Sequence, residues 1–220
     1  LRAIELFPSA NTPSGWGSTP NPQAYAELIN AVQFALNDQG FNHTVIAVGL
    51  DASSGSQSAL QFLQELYAAN SSFFYPIISL HLPYIAHAPG TNPKDASSHT
   101  LRFYEDARQI MLDNGQQNGL LWITRFDWST TEFNQSQDQV TWLQQAFLTM
   151  RSQLYIGMAS YYCLNATTSS TNLIASNGAP SVVFDALGEL IAAENSGISI
   201  TQIIPIEGSG NNHDSKPVSP

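Results

Sequence analysis

Two patterns of hydrophobic residues alternate along this chain. Short apolar runs, often rich in β-branched residues and typical of buried strands, occur at residues 2–7, 44–50, 77–81, 121–124 and 157–164. Longer segments with helical spacing or helix-start signals follow them at residues 21–38, 56–70, 101–114, 135–154 and 179–195. Because strand and helix alternate throughout, the pattern predicts right-handed βαβ units around a parallel sheet.

The first and last long helices carry recognisable start and stop signals. Asn21 is a predicted cap with Pro22 in the first turn, while Pro180 lies near the start of the last helix and Gly197 just past its end. Residues 207–220 are rich in Gly, Ser, Asn and Pro, a composition typical of flexible segments. We therefore predict one α/β domain over residues 1–206 and a flexible tail over residues 207–220.

The fourth apolar run ends in polar and aromatic residues, in the stretch LWITRFDWST at residues 121–130. Arg125 and Asp127 are two positions apart, and side chains alternate along a strand, so both should project to the same side. Two charges at the carboxyl end of a strand predicted to be buried on both faces indicate a functional site.

Composition excludes some classes of partner. The chain has 220 residues, of which 43% are hydrophobic, which is enough for a sizeable core. The net charge is -10 and the pI is about 4.6, so neither nucleic acid nor an anionic membrane surface is an expected partner. No apolar run approaches the roughly 20 residues that a membrane-spanning helix needs.

Metal and cofactor chemistry have little support in the sequence. Cys163 is the only cysteine, which rules out an internal disulfide or a cysteine-based metal cluster. His81 and His87 lack a further ligand at metal spacing, and no Gly-rich phosphate cradle is found, so we expect no metal and no cofactor. Ser9 and His81 could form a nucleophile and base, but Ser9 lies in no strained GxSxG-type elbow, which disfavours that reading.

Secretion is the favoured localisation. Glycosylation sequons occur at Asn42, Asn70, Asn134 and Asn165, although about three would arise by chance in a chain so rich in Asn, Ser and Thr. Only 11% of the residues are charged, and the chain starts at Leu1 with neither a methionine nor a signal-like segment. Both features are also expected of a processed, extracellular glycoprotein.

Several predicted strand ends carry motifs of a known class of enzyme. They read IELFPSAN at 4–11, HLPY at 81–84, WITRFDWST at 122–130 and SYYCL at 160–164, and SNGAPSVVFDAL at 176–187 begins the last helix. In this order they resemble strands four to eight of a retaining glycoside hydrolase of the clan A (β/α)8 type, such as families 39 and 5. The resemblance implies a TIM-type parallel (β/α) barrel that is incomplete in this chain, with about five βα units.

The chain departs from these families where their catalysis takes place. In the resembled enzymes a WNEPN-like motif supplies the general acid/base Glu, and a WITEFGWS motif supplies the nucleophile. Aligning Asn11 with the last residue of WNEPN places Ser9 at the acid/base position, and Arg125 stands at the nucleophile position. Retaining hydrolysis needs two carboxyl groups about 5 Å apart. A serine hydroxyl and a permanently protonated guanidinium cannot replace them, so we expect a glycosidase fold without hydrolase activity.

The former cleft is the expected binding surface, for a carbohydrate or a protein partner. Its predicted lining is Asn11, Trp16, Asp51, His81, Tyr84, Arg125, Asp127, Trp128 and Tyr161. Arg125 and Asp127 could form an internal ion pair that fills the vacated pocket, or Arg125 could anchor an acidic or hydroxyl-rich ligand. Two alternatives remain: an active hydrolase using Asp127, Asp51 and Glu132, or a secreted bioactive or structural protein with no cleft function.

The resemblance leaves no sequence for the first three strands of the barrel, and a whole barrel typically takes about 250 residues. An open five-stranded sheet would leave an exposed edge and an unfilled face. We therefore expect either a second polypeptide that supplies the amino-terminal part of the barrel or self-association that covers the open side; a fragmentary sequence is the third alternative.

Overall fold

Five parallel strands form a curled half-barrel in the computed structural model, which describes residues 3–41, 43–54, 56–69, 75–128, 136–164, 172–175 and 177–195. They pair in chain order as β1 (Ala3–Glu5), β2 (Thr44–Asp51), β3 (Ile77–Ile85), β4 (Leu120–Trp128) and β5 (Ile156–Tyr161). The sheet curls enough for a direct contact between β1 and β4, where Thr124 Oγ1 donates to Glu5 Oε1 over 3.0 Å.

Helices connect the strands, which confirms the predicted fold class of an incomplete TIM-type barrel. They are α1 (Pro13–Trp16), α2 (Pro22–Asp38), α3 (Ser56–Ala69), α4 (Phe103–Asp113), α5 (Ser136–Arg151) and α6 (Val182–Asn195), with short 3-10 helices at Ala52–Ser54 and Pro93–Asp95. The predicted Asn21 cap is present, since its Oδ1 accepts from the Ala24 amide at 3.0 Å.

Two strands run further than the apolar pattern predicts. β3 continues past His81 to Ile85, and β4 continues past residue 124 to Trp128. The two strands stay paired at this end, with His81 opposite Arg125 and Ile85 opposite Trp128, although their register shifts between Leu80 and His81 and again between Leu82 and Ile85. Backbone pairing does not require apolar side chains, so the polar strand ends are held within the sheet rather than in loops.

Two other elements, β5 and α6, are shorter than predicted. β5 ends at Tyr161 rather than at residue 164, and α6 begins at Val182 rather than at residue 179. Pro180 is instead bridged to Ile174 in an isolated antiparallel contact ahead of the helix. α1 was not predicted, because a four-residue helix leaves no periodic pattern.

The core lies between the sheet and the helices. On β4, Leu121 and Ile123 are fully buried against this layer, while Trp122 and Thr124 on the opposite face are only half-buried. The prediction that β4 is buried on both faces is therefore wrong for its inner face. The physical reason is that this face lines the interior of a barrel that five strands do not close.

The outer edge of β5 is the most exposed part of the sheet. Within the described residues β5 pairs only with β4, and Met158 on β5 is 37% exposed. Apolar side chains of α6 are also exposed beside it, namely Val182, Phe184 and Ile191. A cavity of about 270 Å³ lies between α5, β5 and α6 and is lined mainly by apolar residues. Apolar side chains of β5 and α6 are therefore exposed to solvent beside the core.

Some predicted features fall outside the described residues. These are the sequons Asn42, Asn70, Asn134 and Asn165, the fallback carboxylate Glu132 and the tail at residues 207–220. Among the described helices, none has the length and apolar character needed to cross a bilayer.

Candidate functional site: the carboxyl mouth of the half-barrel

Three of the predicted site residues lie side by side at the carboxyl ends of the strands. Asp51 on β2 is the ladder partner of His81 on β3, and His81 is the partner of Arg125 on β4. Side chains of paired residues point to the same face of a sheet. The topology therefore brings these three residues into one row at the mouth of the half-barrel.

Arg125 and Asp127 form an ion pair, as one of the two sequence-based readings expects. Arg125 donates from Nε over 3.1 Å and from Nη2 over 3.0 Å, in both cases to Asp127 Oδ2. The guanidinium also lies over two tyrosine rings, with its carbon 3.9 Å from the Tyr162 ring centre and 5.5 Å from that of Tyr84. The cation is thus held by one carboxylate and two aromatic faces.

Burial dominates the electrostatics of this pair. Asp127 is only 3% exposed, and this burial raises the pKa of its carboxyl despite the opposing effects of the Tyr84 amide and Arg125. Desolvation would lower the pKa of Arg125, but the adjacent Asp127 carboxylate outweighs it and the pKa is raised. Arg125 therefore stays cationic and cannot act as a nucleophile or a base.

Asp127 also fixes the backbone of the neighbouring strand. Its Oδ1 accepts from the Tyr84 amide at 2.5 Å, and Tyr84 adopts a left-handed conformation with φ 58°. That conformation is strained for a residue with a side chain and is maintained here by its surroundings. As a result the Tyr84 ring stands out from the mouth and is 63% exposed.

Ser9, at the predicted position of the acid/base, is bonded to a carboxylate. Its Oγ donates to Asp51 Oδ2 at 3.0 Å, and Asp51 Oδ1 accepts from the Ser53 amide at 2.9 Å and from its hydroxyl at 2.5 Å. Contrary to expectation Ser9 is strained, with φ 65°. Its partner is nevertheless Asp51 rather than His81, so the two do not form a nucleophile and base.

Asn11 has a structural role close to Ser9. Its side chain donates to the Asp51 carbonyl at 2.9 Å and accepts from the Asp51 amide at 2.8 Å, which ties the loop after β1 to the end of β2. Asn11 is buried, so its predicted contact with a ligand is not available at the surface.

Glu5 is a site residue that the sequence analysis missed. Its Oε1 lies 3.4 Å from His81 Nε2 and accepts from Thr124 Oγ1. Burial would raise the pKa of Glu5, but hydrogen bonds from His81, Ser79 and Thr124 outweigh it and hold that pKa below its usual range. The available signal was one acidic residue in the apolar run RAIELF. An ionised carboxylate with several donors is unsuited to act as a general acid.

Aromatic rings surround the mouth, and only some of them were predicted. Phe7 and Tyr162, which were not among the predicted lining residues, are 45% and 41% exposed. Phe7 contacts the half-buried Trp16 with ring centres 5.6 Å apart. Together with Tyr84 these rings offer apolar faces beside polar groups, an arrangement suited to sugar rings.

α1 positions Trp16 by an unusually close approach to the loop after β1. The Thr12 side chain caps this helix by accepting from the Gly15 amide at 3.0 Å, and it donates to the Ser9 carbonyl at 2.9 Å. A Cβ at Gly15 would lie 2.1 Å from that carbonyl oxygen. Only glycine therefore permits this contact.

Trp128 does not line the mouth, which corrects its predicted role. It is 1% exposed and packs against the rings of Phe126, Trp142 and Tyr161, and its Nε1 donates to the His87 carbonyl at 3.1 Å. The register shift between Ile123 and Phe126 changes the alternation of β4, so Trp128 faces the helix layer. Tyr161 contacts the rings of Phe126 and Trp128 and is half-buried.

The described residues contain no group of three His, Cys, Asp or Glu side chains that could hold a metal ion. At the mouth, the carboxylates of Glu5, Asp51 and Asp127 each accept hydrogen bonds from neighbouring side chains or amides. The mouth thus combines exposed aromatic rings with carboxylates that are held by hydrogen bonds.

Solved structures resemble this half-barrel, whereas no family model and no curated protein matches the sequence. A family 128 endo-β-1,3-glucanase from Sorangium cellulosum superposes with a TM-score of 0.61 at 15% identity, over 84% of this chain and 68% of that one. A curdlan-specific family 128 exo-β-1,3-glucanase from Blastomyces gilchristii, in complex with glucose, gives 0.57 at 15% identity with the same coverage.

A family 39 β-xylosidase from Caulobacter crescentus gives a TM-score of 0.59 at 14% identity, over 86% of this chain and 41% of that one. The chain thus spans about two thirds of the glucanases and two fifths of the xylosidase. At such identities the likeness establishes the fold: the chain has the fold of part of a glycoside hydrolase barrel, and the resemblance predicted from its motifs is confirmed at that level.

Proposed function

We propose that this protein is a secreted, non-hydrolytic carbohydrate-binding protein that holds a neutral β-linked glucan chain at the carboxyl mouth of its half-barrel. The observation that carries the proposal is the state of Arg125. It occupies the predicted nucleophile position, is paired with the buried Asp127 and lies between the rings of Tyr84 and Tyr162. The four sequons and the low charge support an extracellular location.

Loss of hydrolysis is supported by the bonding of the remaining carboxylates. A retaining glycosidase needs one carboxyl group that donates a proton and another that attacks. Glu5 is kept ionised by its donors, Asp51 is engaged by Ser9 and Ser53, and Asp127 is committed to Arg125 and the Tyr84 amide. The alternative of a hydrolase using Asp127 or Asp51 would have to disrupt these contacts.

A neutral glucan is favoured by the chemistry of the mouth. Exposed rings at Phe7, Tyr84 and Tyr162 suit the apolar faces of pyranose rings. Three carboxylates and one paired guanidinium make the surroundings net negative, as is the whole chain at -10, which disfavours acidic polysaccharides. The similar family 128 structures are described as β-1,3-glucanases, so β-1,3-glucan is the first ligand to test.

Ring-deleted variants test this proposal. Titration with a β-1,3-linked glucan hexasaccharide should give saturable binding, and Tyr84→Ala and Trp16→Ala should each weaken it roughly tenfold by removing a stacking face. Phe34→Ala is the matched control, since Phe34 is an exposed ring on α2, outside the mouth. Equal losses in all three variants would contradict a site at the mouth.

A second proposal concerns the open sides of the half-barrel. Among the residues that the structure describes, the outer edge of β5 has no paired strand and Met158 and Ile191 are exposed, which favours a covering partner. We propose that this partner is a second polypeptide that contributes further parallel βα units. Association between two copies of the chain is the competing outcome, and the mass measurement described in the Discussion tests whether the isolated chain associates through this edge.

A further inference from the structure

We infer that Asp127 is a specificity-determining residue that makes the mouth select neutral over acidic glycans, by occupying and neutralising the guanidinium of Arg125. This inference rests on the proposed function and identifies which residue sets the ligand class. Asp127 acts through Arg125 and is a positioning residue, not one that touches the ligand.

Asp127 occupies one hydrogen-bonding side of the Arg125 guanidinium. Both Nε and Nη2 of Arg125 donate to Asp127 Oδ2, which uses the side of the guanidinium that otherwise grips a carboxylate with two parallel hydrogen bonds. The Tyr162 and Tyr84 rings lie against the guanidinium as well. A ligand carboxylate therefore finds this fork already occupied.

Asp127 and Arg125 differ in how far they are buried. Asp127 is almost fully buried, whereas the Arg125 side chain keeps 26% of its surface exposed. A ligand at the mouth would therefore contact the Arg125 guanidinium, whose positive charge is already neutralised by the buried Asp127 carboxylate. Asp51, one strand further along the same row as His81 and Arg125, adds a second negative charge that opposes an acidic ligand.

Asp127 makes its contacts with Arg125 and with the Tyr84 amide through different oxygens, so a substitution can remove one contact and keep the other. Oδ2 binds Arg125, while Oδ1 accepts from the Tyr84 amide and supports the left-handed conformation that holds the Tyr84 ring outward. Asparagine retains an oxygen acceptor for the Tyr84 amide but carries no charge. Asp127→Asn should thus release the guanidinium and leave the aromatic surface in place.

The experiment compares two ligands on the full chain, a neutral β-1,3-glucan hexasaccharide and tetragalacturonate, by isothermal titration at low salt. In the Asp127→Asn variant we expect the affinity ratio to shift toward the acidic glycan by roughly tenfold or more, as expected for one freed charge-assisted hydrogen-bonding fork. Binding of the neutral glucan should change by less than about threefold. Asp51→Asn is the matched control, because it removes an equal charge from the same row without releasing Arg125.

The outcomes separate this inference from the proposed function. An unchanged ratio in Asp127→Asn, or an equal shift in Asp51→Asn, would overturn the role of Asp127. If the wild type binds neither glycan but Asp127→Asn gains tetragalacturonate binding, the proposed function fails while Asp127 still controls the charge of the site.

A readout on the wild-type protein does not depend on the folding of any variant. The Arg125 Nε–H resonance should stay in place when tetragalacturonate is added, because Asp127 already holds that donor. A saturable shift of this resonance with the acidic glycan would overturn the inference.

Discussion

Arg125, which the motif resemblance aligns with the nucleophile of the resembled glycosidases, has neighbours arranged around a cation. The Asp127 carboxylate and the faces of two tyrosines contact the guanidinium. An acidic side chain at position 125 would therefore lie among contacts that suit a positive charge. Arg125 is thus part of a local arrangement of one opposite charge and two aromatic faces.

Restoring a carboxylate at position 125 should not restore hydrolysis. Arg125→Glu would place a second negative charge beside the buried Asp127, and we expect it to lower the free energy of unfolding by about 2–4 kcal/mol because a buried ion pair is replaced by repulsion. Activity on aryl glycosides should stay absent, since Ser9 supplies no general acid. Urea unfolding and chromogenic assays check both expectations.

Arg102→Glu is the control for that experiment. Arg102 pairs with Glu105 on α4 at 2.7 Å, and the Glu105 side chain is 37% exposed whereas that of Asp127 is 4% exposed, so reversal of Arg102 should cost about 1 kcal/mol or less. An equal loss of stability in both variants would contradict the special burial of the Arg125 and Asp127 pair.

His99 should make stability depend on pH. Burial lowers the pKa of His99, whose Nε2 contacts the Pro83 carbonyl at 2.7 Å. A lowered pKa in the folded state means that the unfolded chain binds a proton at His99 more readily than the folded protein does. The folded protein therefore has its full stability above about pH 6.5 and loses stability as the pH falls through the folded-state pKa of His99.

The measurement compares urea unfolding of the wild type and of His99→Gln between pH 7.5 and pH 5. The wild type should lose stability more steeply than the variant as the pH falls, because the variant has no imidazole to protonate there. Parallel curves for the two proteins would show that His99 is not responsible.

Individual residues also show where sequence reasoning stopped. The ion pair followed from the two-residue spacing of Arg125 and Asp127. The left-handed conformations of Phe7, Ser9 and Tyr84 could not be predicted, because non-glycine residues rarely adopt them and only tertiary contacts impose them. The role of Glu5 depends on a contact with Thr124 across 119 positions, which no local pattern reveals.

At the scale of elements, the connection between α4 and β4 is fixed by one arginine. Arg108 donates to the carbonyls of Gln116 (3.2 Å), Gln117 (2.6 Å) and Gly119 (2.8 Å), and it lies over the Tyr155 ring. This loop immediately precedes Leu120, the first residue of β4. Arg108 therefore holds the loop that leads into the strand carrying Arg125 and Asp127.

Arg108→Ala should lower the free energy of unfolding by about 2 kcal/mol, because three carbonyl acceptors lose a charged donor. Arg108→Lys should recover only part of this loss, since an ammonium cannot span the three acceptors as a guanidinium does. Urea unfolding measures both variants. Full recovery with lysine would indicate that charge alone matters at this position.

The elements themselves were largely predictable, because apolar runs and helical spacing record which faces are buried. Their ends were less so. β3 and β4 extend into polar sequence because pairing such as His81 with Arg125 uses backbone groups, which hydrophobicity does not report. The register shift that turns Trp128 into the core has the same origin, and it explains why an exposed role was predicted for that ring.

Across the whole molecule, the five strands in the described part of the chain do not close a barrel. The prediction of an incomplete barrel followed from matching strand-end motifs to known positions, and it is confirmed. The exposed edge of β5, with Met158 and the apolar face of α6 beside it, is the physical consequence. An uncovered parallel edge of this kind favours association with another chain.

Isolated chains should therefore associate. In light scattering after gel filtration, the protein should exceed the 23.9 kDa of one chain, and Met158→Lys should shift it toward that mass by placing a charge on the edge. Gln109→Lys, on the exposed side of α4, is the control and should have no effect. A stable 23.9 kDa wild-type monomer would contradict both covering by a second polypeptide and self-association.

Whether the mouth binds glucan without cleaving it is tested by mixing a β-1,3-glucan hexasaccharide with the full chain in one sample, first for calorimetric titration and then for chromatography of the sugar after prolonged incubation. We expect saturable binding and an intact hexasaccharide. Absence of binding, or time-dependent cleavage that disappears in Asp127→Ala, would contradict this expectation.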